Sequence, residues 1–470
     1  MRDRRRAELP RWDPENETFW EQSGRRVARR NLLLSVLTEH IGFSVWSIWS
    51  VLVLFMSPEL GMDFTPDQKF LLVIVPTVVG ALLRLPYSWA VVRFGGRNWT
   101  VFATLILLVP ATGAWWAVQR PGTPFWVFLV IAALGGAGGG NFASSMTNIT
   151  RFFPHRHQGW ALGLNAGGGN AGVAAVHIVG LLVIAVFGDT HPALVAATYL
   201  PLIVVASLVA ALAMDNLPRV QAGNSPDGSA GGEGLRAAAR SGHTWWISLL
   251  YIGTFGSFIG YGFAFGLVLQ TQFGVSALEA ASWTFLGPLL GSISRPVGGW
   301  CADRWGGARV SLVLFALMGL GTVVLLVAGT TGSLAVFAAG FIALFVLSGA
   351  GNGSVYKLLP VAFAREAASL PGDRAAALAR ARLLAGAAMG ISGAIGALGG
   401  AGINLVLRAS YSDGGSGTLA FSAFLAWYAV CAFVVWQRYL RTDDMSRPAG
   451  RGTGRLSPRD DEHDRTAAHV

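Results

Sequence analysis

Lysine is almost missing from this chain of 470 residues: Lys69 and Lys357 are the only two. Arginine therefore carries nearly all of the net charge of +10. Charge of either sign is scarce, at 13% of residues, about half of what a soluble protein of this size carries. Cysteine is scarcer still. Cys301 and Cys431 both lie in apolar runs, which excludes a disulfide framework or a thiolate metal centre. Long polar stretches are missing too, the longest internal one being 215–243. That leaves no room for a soluble catalytic domain, and no cluster of metal ligands or nucleophile–base pair stands out. An enzyme, a catalytic residue, a metal ion and a cofactor are accordingly not expected. The first thirty residues are polar and the first apolar run starts at Leu32, so no cleavable signal peptide is expected.

What is abundant is apolar sequence, 53% of the chain. Many runs exceed the ~18 residues that span a bilayer. The expected fold class is an all-α polytopic membrane protein, with the lipid bilayer as its solvent. The runs predict twelve helices, at about 31–56, 69–93, 99–118, 124–153, 158–187, 192–214, 244–270, 276–302, 309–329, 333–363, 379–406 and 417–439. The organisation that follows is a cytoplasmic N-terminal tail (1–30) and a six-helix half (31–214). A flexible linker rich in Gly, Ser, Asn and Pro (215–243) leads to a second six-helix half (244–440) and a disordered cytoplasmic tail (441–470). Basic loops alternate with nearly neutral ones. Arg93 and Arg97, Arg151 and Arg156, Arg304 and Arg309, and Arg438 and Arg441 share one side with the N-terminal arginines, whereas Lys69, Arg120 and Arg408 lie on the other. The positive-inside rule explains this better than nucleic-acid binding does, and it makes both termini cytoplasmic.

Two arginines break the apolar pattern. Arg84 lies within the run 71–92 and Arg295 within the run 277–301. A shift of 211 positions superposes them, and it carries Arg93, Gly95 and Gly96 onto Arg304, Gly306 and Gly307. The same ungapped shift lays Gly138, Gly140 and Asn141 on Gly349, Gly351 and Asn352. The chain is thus two same-sense repeats, the plan of major facilitator transporters, with the site expected at mid-membrane between the halves. Each arginine precedes its loop glycine by eleven residues, which is about 16 Å of helix and near the centre of a ~30 Å core. A membrane-buried arginine costs roughly 2.5–3.5 kcal/mol on insertion scales. Two at matched positions suggest an anionic cargo, gripped by planar guanidinium forks. The first repeat lacks one loop feature of the second, because Val92 stands where the second has Asp303.

The single acid well inside a helix is Glu39, beside His40. It is a candidate for proton coupling; the plainer role is a salt bridge to an arginine or to Lys357. His177 reads as a polar packing residue. Glycines crowd four helices, in 135–140, 163–172, 349–353 and 386–402. Residues 167–172 match G-x-G-x-x-G, but no strand precedes them, so the nucleotide reading is weak. Small residues four apart let membrane helices approach closely, and the same faces would let the halves rock around a narrow site.

The stretches GGGNFASSMTNITRFFP (138–154) and QGWALGLNAGGGNAG (158–172) resemble the nitrate/nitrite porter family of the major facilitator superfamily. GAGNGSVYKLLP (349–360) and AMGISGAIGALGGAG (388–402) are similar to its second-half counterparts, and WDPEN (12–16) and IGTFGSFI (252–259) also match. The resemblance, which runs from about 12 to 440, implies a multi-pass transporter of a prokaryotic cell membrane that acts as a single chain on nitrate and nitrite. It implies that Arg84 and Arg295 grip the anion, that Asn170 hydrogen-bonds it, that Tyr251 lies beside it, and that Phe142 and Phe255 sandwich it. Gly163, Gly167, Gly169 and Gly172, with Gly393, Gly396, Gly399 and Gly400, would form the paired signature helices. The expected activity is nitrate uptake in exchange for nitrite by alternating access. The alternatives are proton-coupled nitrate symport and transport of another small inorganic or carboxylate anion.

Overall fold

Glycine and proline set the helix ends. Thr65 caps one helix with a reciprocal capping box to Gln68, and Pro66 fills its first position. That helix stops at Gly95, whose φ of 92° favours a residue with no Cβ. Its repeat twin Gly306 has a φ of 88° and ends the equivalent helix in the same way. The repeat detected in the sequence is therefore also a repeat of backbone conformation.

The computed structural model describes residues 12–217, 230–368, 374–412 and 415–441. Helix α1 is Arg25–Trp46, continued after a break at Ser47 by Ile48–Leu52. It is followed by α2 (Pro66–Phe94), α3 (Gly96–Ala117), α4 (Phe125–Phe152), α5 (His155–Phe187) and α6 (Ala193–Ala213). The second half comprises α7 (Gly242–Phe273), α8 (Leu286–Trp305, preceded by Ala277–Thr284), α9 (Gly307–Thr331), α10 (Leu334–Ala368), α11 (Arg374–Tyr411) and α12 (Thr418–Leu440). Ten of these segments are long and apolar enough to cross a membrane. The other two, α1 and α8, are the ones that carry Glu39 with His40, and Arg295.

Packing repeats as well. In the first half α1 lies on α5 and α2 on α4; in the second, α7 lies on α11 and α8 on α10. The halves meet mainly through α2 against α11 and α5 against α8. At the face remote from the termini they are tied together. Arg408 on α11 donates to both carboxylate oxygens of Asp67 on α2, at 2.5 and 2.8 Å. Beside this pair Phe70 stacks on Tyr411, with centroids 6.1 Å apart, and Gln270 donates to the Leu54 carbonyl.

Two stretches are more ordered than their polarity suggests. Part of the expected flexible linker is helical, over Ala230–Arg240. It packs against α11 and is fastened to α7 where Thr244 and Trp245 donate to the carbonyls of Ala238 and Ala239. In the expected N-terminal tail, Trp12 and Trp20 pack edge-on against Phe152 and Phe153 at the end of α4. Ring burial, not hydropathy averaged over the segment, holds them there. The expected disordered tail lies outside the described residues beyond Arg441.

Candidate anion-binding site

Arg84 on α2 and Arg295 on α8 are both buried, at 1% and 7% exposure. Neither takes part in any ion pair among the described residues. Arg84 Nη1 donates to the Gly393 carbonyl of α11, across the interface between the halves, at 2.5 Å. Arg295 Nη2 donates to the Tyr251 hydroxyl of α7 at 3.2 Å. The remaining donors Nε and Nη2 of Arg84 and Nη1 of Arg295 are buried without a partner. An unpaired buried donor costs about 1–3 kcal/mol, and more when charged. The two guanidinium groups are close enough to act on each other electrostatically, so like charges are held near one another in a low-dielectric interior.

Aromatic rings wall this space. The Arg84 guanidinium carbon sits 4.6 Å from the Phe142 ring centre and 5.2 Å from that of Phe255, within cation–π range. Phe142 comes from the first half and Phe255 from the second; their centroids lie 6.1 Å apart with a 30° tilt. Tyr251 stacks on Phe255 at 5.1 Å and 9°. Tyr251 immediately precedes, and Phe255 lies within, a π-helical turn in α7, Ile252–Gly256, the kind of irregularity that often marks functional sites. Gly256 and Gly399 make the room: a Cβ on Gly256 would lie 3.0 Å from the carbonyl carbon of Gly399 on α11.

Asn170 on α5 is fully buried, and both of its amide atoms lack a partner. Arg84, Phe142 and Phe255 meet across the contact between the halves, with Tyr251 and Arg295 joined to them on the second half's side, and Asn170 is buried on α5, one of the helices at that contact. Three further groups enter the description, of which only Gly393 was singled out in the sequence. Asn352 on α10 is buried with both amide atoms unpartnered. Tyr356, one helical turn on, donates to the Met389 carbonyl at 2.8 Å and faces the Arg295 guanidinium at 5.9 Å. The third is the Gly393 carbonyl. The i, i+4 spacing of Asn352 and Tyr356 within GAGNGSVYKLLP was the available signal.

The signature glycines divide into two sets. A Cβ on Gly169 would strike the Glu39 carboxyl, one on Gly172 the His40 carbonyl, one on Gly396 the Tyr251 ring, and on Gly399 and Gly400 the side chains of Ile252 and Ile259. At Gly393 it would only touch Arg84. At Gly163, Gly167, Gly386 and Gly390 it would meet nothing within 4 Å. Glu39 forms no ion pair among the described residues. Lys357, one partner considered for it, is instead bound to Asp303 at 2.5 Å. His177 is a packing residue, with Nδ1 against the Val173 carbonyl and Nε2 against Ser50.

A model of the Major Facilitator Superfamily matches residues 34–403. The nitrate/nitrite transporter NarU of Escherichia coli is 40% identical, over 92% of this chain and 96% of that protein. The probable nitrate/nitrite antiporter NarK2 of Thermus thermophilus is 32% identical over the same shares. Among solved structures, the D-xylose–proton symporter aligns with a TM-score of 0.64 at 16% identity, covering 87% of this chain and 98% of that one, a likeness of fold alone. With a family model over most of the chain and close relatives along nearly all of it, the chain belongs to the major facilitator superfamily and, within it, to the nitrate/nitrite porter family.

Proposed function

We propose that this multi-pass membrane protein carries nitrate and nitrite across the cell membrane, and that it exchanges one for the other by alternating access. The observation that carries this reading is the pair of buried guanidinium groups, one from each half, with unpartnered N–H donors and, among the described residues, no carboxylate bound to either. A small oxyanion supplies the missing acceptors and the missing charge at once. The two phenyl rings favour a flat one. Two stacked van der Waals contacts need about 7 Å between ring planes. The 6.1 Å spacing of Phe142 and Phe255 therefore opens slightly to admit a planar anion, and resists a tetrahedral one more strongly.

Exchange follows from electrostatics. With no anion bound, the two arginines repel one another and oppose the approach of the halves. With an anion between them the repulsion is offset and the loaded carrier reorients. Purified protein in liposomes, with and without nitrite inside and no pH gradient, tests this. Nitrate uptake is expected to be faster with internal nitrite; equal uptake in both cases would rule out obligatory exchange. Competition of labelled nitrate by nitrite, formate, chloride and phosphate tests the cargo, and nitrite is expected to compete best.

A further inference from the structure

Glu39 stands at the centre of a second polar cluster, next to the arginine pair. Its side chain is 1% exposed and lies between α1, α4 and α5. Oε2 accepts from Ser145 Oγ and, at 2.7 Å, from Asn165 Nδ2. Oε1 is buried with no donor. Ser145 Oγ continues to Ser35 Oγ at 3.0 Å, one turn along α1 towards the terminal face. An ionised carboxylate needs donors on both oxygens when water is excluded; this one has them on one oxygen only. Oε1 lies against Gly169, the residue before the buried and unpartnered Asn170.

The surrounding groups can be named element by element. On α1 the neighbour is His40, whose Nδ1 meets the Gly168 carbonyl at 3.1 Å. On α4 and α5 the facing polar groups are Ser145 and Asn165, both neutral. The charged groups that act on Glu39 are Arg84 on α2 and Arg295 on α8. The other half supplies a comparison. Gly396 on α11 meets the Tyr251 ring as Gly169 on α5 meets the Glu39 carboxyl, so a neutral side chain stands there where the first half has an acid.

We propose that Glu39 is a proton-binding site linked to the anion site, so that an anion arriving between Arg84 and Arg295 draws a proton onto Glu39. The inference rests on the anion reading given above and extends it. When ionised, Glu39 partly offsets the two arginines and leaves one net positive charge. When a monovalent anion binds, its field favours protonation of Glu39, and two arginines, one anion and a neutral carboxyl again leave one. The charge of the moving centre is then the same loaded and empty. The empty carrier gains a way back, and the chain can carry an anion together with a proton as well as exchange two anions. The proton comes from bulk water, is held on Glu39 while the anion is bound, and returns to bulk water when the anion leaves.

Linkage makes the test reciprocal. In weakly buffered detergent solution, nitrate added to the wild-type chain is expected to take up protons. Its affinity by calorimetry is expected to decline about 5- to 150-fold from the acidic to the alkaline side of the titration, the usual span of coupling between two sites. Glu39→Gln is expected to bind nitrate with no proton uptake and no pH dependence, and to lose nitrate accumulation driven by a pH gradient into liposomes free of nitrite. His40→Asn is expected to retain all three properties. Wild-type behaviour in Glu39→Gln, or loss of pH dependence in His40→Asn instead, would overturn the proposal. Glu39→Leu, which removes the proton site with an apolar side chain of similar size, guards against misfolding of the first variant; failure of both to fold would show that the acid serves packing and would overturn the proposal. A wild-type chain that binds no nitrate at any pH would instead defeat the anion assignment, and the linkage with it.

Discussion

A lysine in place of either arginine would keep the charge and discard the fork. Arg84 uses one nitrogen on Gly393 and Arg295 one on Tyr251, so each has only part of its guanidinium left for a ligand. Arg84→Lys or Arg295→Lys is therefore expected to lose at least one charge-assisted bond, about 1.5–3 kcal/mol, or about 10- to 150-fold in nitrate Kd. Equilibrium binding to membranes matched for protein content checks this, and a variant within twofold of wild type would speak against the clamp. Asn170 offers a different kind of test. Its amide is buried with no partner, which destabilises the protein in the absence of an anion. Asn170→Ala is expected to melt no earlier than wild type without nitrate and to gain less from added nitrate. A melting temperature that drops without nitrate would show that the amide supports the fold.

Among the helices, α5 and α11 are each tight at mid-membrane and open towards the terminal face. Gly172 presses on α1, whereas Gly163 and Gly390 face open space in this conformation. Gly172→Ala is expected to destabilise the protein outright. Gly163→Ala and Gly390→Ala are expected to leave its thermal stability intact, since alanine is the better helix former by about 1 kcal/mol, yet to slow exchange when the open faces close. Unchanged counterflow rates in both would show that these faces never meet. The same helices show what the sequence could disclose. The arginine pair was legible because each stands alone in an apolar run and because the two recur in register. The glycine stretches were legible as close-packing faces, but not which glycines are packed now. Tyr356 passed as an ordinary residue of a glycine-rich helix, because only the fold turns it towards Arg295. The π-turn beside Tyr251 packs against α11 and leaves no mark on the local pattern. Residues 12–24 looked like a polar tail because hydropathy averages away two tryptophans that find partners on α4.

Taken whole, the molecule is fastened at the face remote from its termini by Asp67 and Arg408. The pair is bidentate but partly exposed, so a contribution of about 0.2–1 kcal/mol is expected. Asp67→Asn should raise the rate at which a cysteine placed at Tyr411 is labelled from that face about 1.5- to 5-fold. A rate equal to that of the same cysteine with Asp67 intact would show that the pair does not hold the face shut. At the terminal face the halves differ. Lys357 on α10 is bound to Asp303 on α8, while the equivalent positions hold Val92 and Met146. Met146 turns towards Asn165, in the Glu39 cluster. Only the second bundle is thus pinned between this pair of helices by an ion pair, so the gate has one stiff jamb and one more compliant. That asymmetry weights how long the carrier dwells in each orientation, while the gradients of the cargo alone decide which way it flows.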